Sequence, residues 1–147
     1  MNPDDPQPPQ PPQPPQDSRE AELLAAAWQA REAALCPYSH FAVGAAILDG
    51  EGRVWTGANV ENASYTLGLC AERVALFYAL THGARDIRSV VVVTGAATPS
   101  SPCGACRQIL FEFAANATLV TAIADGQVLR SSIRDLLPHG FDASSLA

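Results

Sequence analysis

The sequence predicts a layered α/β domain built on a mixed sheet. Three observations carry that expectation. Helical and strand patterns alternate in the order helix, two strands, helix, strand, helix, two strands, short helix. The turn Asp49-Gly50-Glu51-Gly52 separates two runs, Val43 to Leu48 and Arg53 to Ala58, and so marks an antiparallel hairpin. Arg88 to Thr94 contains Val90-Val91-Val92-Val93 and reads as a buried central strand. The strands after the hairpin are expected to follow βαβ crossovers.

Each element has a local reason. Residues 1–17 are almost only Pro, Gln, Asp and Asn, too polar to offset the entropy of ordering, and predict a disordered or polyproline II tail. Ser18 is a candidate N-cap, with acids in the first turn at Glu20 and Glu22. Leu23, Leu24, Ala27, Trp28, Arg31 and Leu35 follow at helical spacing. This helix is expected to end just before Pro37, because the residue ahead of a proline is pushed out of the α region. Pro37-Tyr38-Ser39-His40-Phe41 reads as a loop. Asn59 to Tyr65 is polar, follows a strand end directly and has few reasons to be structural. Cys70 to His82 is expected to be helical, with Gly83 as its C′ residue. Gly95 to Pro102 is turn-rich, and Gly104 to Ala115 predicts the next helix. Thr118 to Ala124 and Gln127 to Arg130 are strands around an Asp125-Gly126 turn. Ser132 is expected to cap a last short helix through Leu137, stopped by Pro138.

Composition excludes several partners. The chain has 147 residues, room for one domain at 18–147 after the tail. The net charge is −6, and all nine basic residues are arginine. A protein that grips polynucleotide needs a basic stripe to displace counterions, and none is visible. A small neutral molecule is the expected partner. No apolar run approaches the roughly 20 residues of a membrane span. The tail lacks the basic and apolar regions of a secretory signal, so the expected location is the cytoplasm.

The four cysteines point to metal or redox chemistry rather than disulfides, because Cys103 and Cys106 form a C-x-x-C with no secretory context. At a helix start that spacing puts both sulfurs on one face. With Cys70 as third ligand, a zinc ion would keep its fourth position open, as catalytic sites do. Three thiolates load the metal with negative charge. Two helix N-termini would offset it, as would Arg73, three residues after Cys70, with Arg107 as a second candidate. Glu72, two residues past Cys70, is placed to move protons over the metal. Other readings remain. The C-x-x-C alone fits a thioredoxin-like dithiol, and Cys36 could complete a closed four-cysteine structural site in an interaction module. His40, His82 and His139 have no ligand spacing.

Five motifs, in order, give the chain a close resemblance to the small homotetrameric cytidine deaminases. They are Cys36-Pro37-Tyr38-Ser39-His40-Phe41 with Val43-Gly44-Ala45-Ala46; Gly57 to Tyr65; Cys70-Ala71-Glu72-Arg73; Ser101-Pro102-Cys103-Gly104-Ala105-Cys106-Arg107-Gln108; and Leu136-Leu137-Pro138 with Phe141. The resemblance covers Ser18 to Leu146. It implies a three-layer α/β/α fold on a mixed five-stranded sheet. It also implies zinc-dependent hydrolytic deamination of cytidine and 2′-deoxycytidine to the uridines, with release of ammonia, as in pyrimidine salvage. Position by position, it implies zinc on Cys70, Cys103 and Cys106, with Glu72 as proton shuttle to the pyrimidine N3 and then to the leaving amine. Asn59 and Glu61 would hold the ribose 3′-hydroxyl, Phe41 would lie beside sugar and base, and the Ala71 backbone would meet the pyrimidine edge. Sites would be shared across a homotetramer, with Phe141 stacking on the base from one neighbour, Tyr65 reaching in from another and Tyr38 at the subunit contacts. A polynucleotide would be refused, because its 3′-phosphate would meet the Glu61 carboxylate. A deaminase of some other aminopyrimidine is the nearest alternative, against which the Asn59-x-Glu61 pair argues.

Overall fold

The computed structural model of the chain describes residues 18–146, so the tail expected at 1–17 and the side-chain cap expected at Ser18 lie outside what it describes. The chain runs α1 (Ser18–Arg31), β1 (Val43–Leu48), β2 (Val54–Ala58), α2 (Ala71–Thr81), β3 (Ser89–Thr94), α3 (Gly104–Ala114), β4 (Thr118–Ile123) and β5 (Val128–Ser132). Short 3-10 turns occupy Tyr65–Leu67, Arg134–Leu136 and Ala143–Leu146.

The five strands form one sheet in the order β2-β1-β3-β4-β5, with β3 in the middle as expected. β1 is antiparallel to both β2 and β3, β3 is parallel to β4, and β4 is antiparallel to β5. β2 and β3 therefore point the same way with β1 wedged between them. α2 spans that split crossover, and α3 makes the simple one from β3 to β4. The helices that follow β2 and β3 thus start at the same end of the sheet.

Side chains alternate across the strands, as a pleat requires. Ala46, Val91, Val93, Val120 and Ala122 face one way and bury Leu23 and Ala27 of α1. Ala45, Ile47, Val90, Val92 and Leu119 face the other way, against Ala75, Leu76 and Ala79 of α2 and Leu110 of α3. The result is one helix, a mixed five-stranded sheet and two helices, the three layers expected.

Two glycines set how closely the layers approach. A Cβ on Gly44 would lie 2.0 Å from the Ala27 carbonyl oxygen of α1. A Cβ on Gly57 would lie 2.5 Å from the Ala75 nitrogen and 2.9 Å from the Ala71 oxygen of α2. Only glycine lets α2 lie against β2 at that distance.

Two element boundaries differ from expectation. α1 stops at Arg31 rather than just before Pro37. Ala33 and Ala34 close tighter turns onto Ala30 and Arg31. The Leu35 amide then donates to the Asn59 carbonyl at 2.9 Å, and the Leu35 carbonyl accepts from the Glu61 amide at 2.8 Å. Leu35, expected on the helix face, instead spends its backbone on an extended bridge and leaves its side chain 61% exposed. The last helix is also absent as such. Ser132 pairs with Thr118 as the end of β5, so it cannot cap, and a single 3-10 turn fits before Pro138. Glu20 lies in the first turn of α1, as expected, and there forms a bidentate pair with Arg130 of β5.

Candidate active site

Cys70 and Cys103 are the N-cap residues of α2 and α3. Both hold extended backbone angles, φ −71°, ψ 154° and φ −63°, ψ 167°, so each sulfur stands at the mouth of a helix. Their side chains cap no amide of their own helix, which leaves the sulfurs free to turn toward each other. Cys106 lies in the first turn of α3, fully buried. The three sulfurs fall within 4.8 Å of one another, and Cys70 Sγ is 3.7 Å from Cys103 Sγ. Sulfurs about 2.3 Å from a tetrahedral zinc stand about 3.8 Å apart, so the donor set fits that metal. Cys36 is outside this cluster.

The charges around the sulfurs follow from their neighbours. Arg73 Nη2 donates to the Gly68 carbonyl at 3.2 Å and to Cys70 Sγ at 3.8 Å. The Cys106 thiol, and after burial has pulled the other way also Arg73 and Cys103, hydrogen-bond to Cys70 and lower it to about 5. Cys106 is pushed the opposite way, by donating to Cys70 and by burial. A metal that takes all three as thiolates must therefore displace the Cys106 proton. Glu72 is 5% exposed, and burial raises its carboxyl to about 7, with the charge on Cys70 adding to the rise. A carboxyl in that range both accepts and gives up a proton near neutrality.

Cys70, Cys103, Glu72 and Arg73 line a cleft of about 710 Å³. Phe41, Val43, Asn59 and Glu61 line the same cleft, as do Tyr38 and Tyr65, whose ring centroids are 5.6 Å apart. Asn59 ties this lining together: its Oδ1 accepts from the Val43 amide at 2.8 Å and its Nδ2 donates to the Phe41 carbonyl at 2.9 Å. Glu61 Oε2 accepts from the amides of Tyr38 and Ser39 at 2.9 and 3.1 Å, and Oε1 accepts from the Ser39 hydroxyl. The Ser39 hydroxyl, and with it those amides, holds the Glu61 carboxyl below its ordinary value. Ala71, the first residue of α2, has its side chain in the core and its backbone between Cys70 and Glu72.

Residues 17–122 match the family model described as the cytidine and deoxycytidylate deaminase zinc-binding region. The chain belongs to this family. A cytidine deaminase of Halalkalibacterium halodurans is 45% identical over 125 residues, 84% of this chain and 95% of that one. One from Mycobacterium tuberculosis is 42% identical over 120 residues, 82% of this chain and 87% of that one. Among solved structures, cytidine deaminase from Burkholderia pseudomallei superposes with a TM-score of 0.80 at 46% identity, covering 82% of this chain and 98% of that one. The Mycobacterium leprae enzyme gives 0.71 at 38% identity, covering 83% and 99%.

In this deaminase domain one expected residue takes another place. Arg107 does not reach the sulfurs. It donates through Nε to the Pro102 carbonyl at 2.7 Å, through Nη1 to the Leu136 carbonyl at 3.4 Å and through Nη2 to the Ser101 hydroxyl. It thereby ties the loop that delivers Cys103 to the backbone at Leu136. Phe141 does not line the cleft of its own chain. Its side chain is 58% exposed, and its carbonyl accepts from Gln108 Nε2 at 2.7 Å. Tyr65, expected from a neighbouring subunit, lines the cleft of its own chain. Residue reading missed Val92, Thr94 and Ser100 in the lining. The two strand residues look like ordinary core, and only their place near the end of β3, at the helix mouths, marks them. It also gave Ser39 no role, although its place two residues before Phe41 was a usable signal.

Proposed function

We propose that the protein deaminates cytidine and 2′-deoxycytidine by hydrolysis, releasing ammonia. The observation that carries this is the position of Glu72, buried beside three convergent cysteine sulfurs and lining a nucleoside-sized cleft. Cys70, Cys103 and Cys106 hold zinc, which when bound supplies Lewis acidity and a water acidic enough to react near neutral pH. Glu72 takes a proton from the water that adds to C4 and passes it to N3. It then takes the proton of the new C4 hydroxyl and delivers it to the amine, so that the C4 carbonyl forms as the C–N bond breaks and ammonia leaves. Arg73 and the two helix mouths offset the sulfur charge. The Ala71 backbone meets the pyrimidine edge, and Phe41 lies along the sugar and base.

Asn59 and Glu61 select the sugar. A carboxylate offers about four acceptor directions. The loop of Tyr38 and Ser39 fills three of those on Glu61, leaving one on Oε1 for a free 3′-hydroxyl. A 3′-phosphate there would face a carboxylate, so 3′-nucleotides and polynucleotides are poor substrates. The whole reaction belongs to the domain at 18–147, acting as a homotetramer in which Phe141 serves a neighbouring site while Tyr65 lines its own. The exposure of Phe141, Tyr65 and Leu67 supports such contacts. Among the described residues no helix is long and apolar enough to cross a membrane. Three unpaired cysteines this close need a reducing compartment, which supports the cytoplasm.

The deciding measurement is the absorbance change on mixing zinc-loaded protein with cytidine, using Glu72→Ala as blank. Conversion to uridine that a chelator abolishes is the expected result. Absence of conversion sinks the reading.

A further inference from the structure

We propose that Ser39 is a positioning residue for sugar specificity: its hydroxyl aims the Glu61 carboxylate at the substrate's 3′-hydroxyl. The inference rests on the reading of Glu61 given above.

The geometry leaves the Ser39 hydroxyl little choice. Its oxygen accepts from the Phe41 amide at 3.0 Å. Its one hydrogen therefore points at Glu61 Oε1, which has no other protein donor among the described hydrogen bonds. The Glu61 backbone is itself fixed, since its amide donates to the Leu35 carbonyl and Val60 pairs with Leu69 on both sides. The carboxylate can still pivot about Oε2, where the amides of Tyr38 and Ser39 converge. Ser39 Oγ is the contact that stops the pivot, and it does so at the oxygen with an acceptor direction to spare.

The same hydroxyl joins the two halves of the sugar subsite. Phe41, held through its amide by Ser39, offers its carbonyl to Asn59. Glu61 and Asn59 are thereby set by one short segment, Ser39 to Phe41. That segment is bent tightly: His40 sits at φ 56°, and its amide donates to the Cys36 carbonyl at 3.0 Å. Removing one hydroxyl should loosen both sugar contacts while leaving Glu72 and the three sulfurs, on other elements, in place.

The test compares Ser39→Ala and Ser39→Thr with wild type on cytidine and on 3′-deoxycytidine, which lacks the hydroxyl in question. Zinc content and melting temperature serve as controls. For Ser39→Ala, a hydrogen bond to a charged group predicts a rise of about tenfold in KM for cytidine with kcat nearly unchanged. The efficiency on 3′-deoxycytidine should stay near wild type, so the ratio between the two substrates should fall about tenfold, and Ser39→Thr should restore it. An unchanged ratio overturns the proposal, and so does an equal loss on both substrates, which is what general damage produces. Wild type that fails on cytidine defeats the deaminase reading as well. Wild type that works, with the ratio intact in Ser39→Ala, defeats the role of Ser39 alone. If Ser39→Ala does not fold, Ser39→Cys, similar in size but a weak donor, is read by the same ratio.

Discussion

Asp49 is fully buried at the β1–β2 turn, yet stays charged because it is saturated with donors. The amides of Glu51 and Arg53 reach Oδ1 at 3.0 and 2.9 Å, while Arg53 Nε and Trp55 Nε1 reach Oδ2 at 2.8 and 2.9 Å. Burial pushes its carboxyl up, but these donors together bring it down to about 2. A folded value below the unfolded one adds stability above pH 3.8, and that stability is lost as pH falls toward 2. Urea denaturation of wild type should weaken over this window by about 2 kcal/mol more than that of Asp49→Asn. Equal acid sensitivity would count against the linkage. Glu72→Gln keeps the shape of the buried side chain and removes its proton traffic. It should lower turnover on cytidine by about 10²- to 10⁴-fold with zinc content unchanged, as metal analysis would check. The convergence of Cys70 and Cys103, and the placement of Glu72 beside them, were legible in the sequence, where spacing and chemistry coincide. The place of Arg107 was not legible, because a long guanidinium side chain reaches carbonyls that only folding brings within range. The four donors on Asp49 were hidden for the same reason, inside a segment that reads simply as a turn.

At the scale of elements, α2 carries both Glu72 and the first sulfur, and its position depends on a missing side chain. Gly57→Ala puts a methyl carbon 2.5 Å from the Ala75 nitrogen, in backbone rather than in a flexible side chain. The helix must move, at about 1–3 kcal/mol, and carry Cys70 away from Cys103. The expected outcome is a lower melting temperature together with weaker zinc retention in a competition with a chelator. A fall in melting temperature with zinc affinity intact would mean that the helix rotates about its N-terminus instead of shifting. The central strand and both site helices were legible because their apolar runs are long and bounded by turn residues. The ends of α1 and of the last strand were not. Leu35 fits a helical face by spacing, but its backbone is claimed by Asn59 and Glu61, and Ser132 looks like a cap but completes the ladder with Thr118.

For the whole molecule, the proposed sharing of sites between subunits makes a specific prediction. If Phe141 serves a neighbour, Glu72→Ala and Phe141→Ala proteins are each impaired, yet mixed oligomers contain sites with an intact Glu72 and a borrowed Phe141. Co-expression should restore part of the cytidine activity, whereas unrestored activity would place Phe141 within its own chain's function. The layers were legible from periodicity, while the split crossover, with β1 between β2 and β3, was not, because strand order in space leaves no trace in local pattern. The meeting of two helix mouths at the sulfurs has one more consequence. Cys70 and Cys103 are 33 positions apart, and α2 and the central strand lie between them. A metal gripping both ends closes that stretch into a ring, as a covalent staple would, and lowers the entropy of the opened chain. Chelation should therefore expose the segment between Cys70 and Cys103 to limited proteolysis, so that protein starved of zinc is both inactive and short-lived.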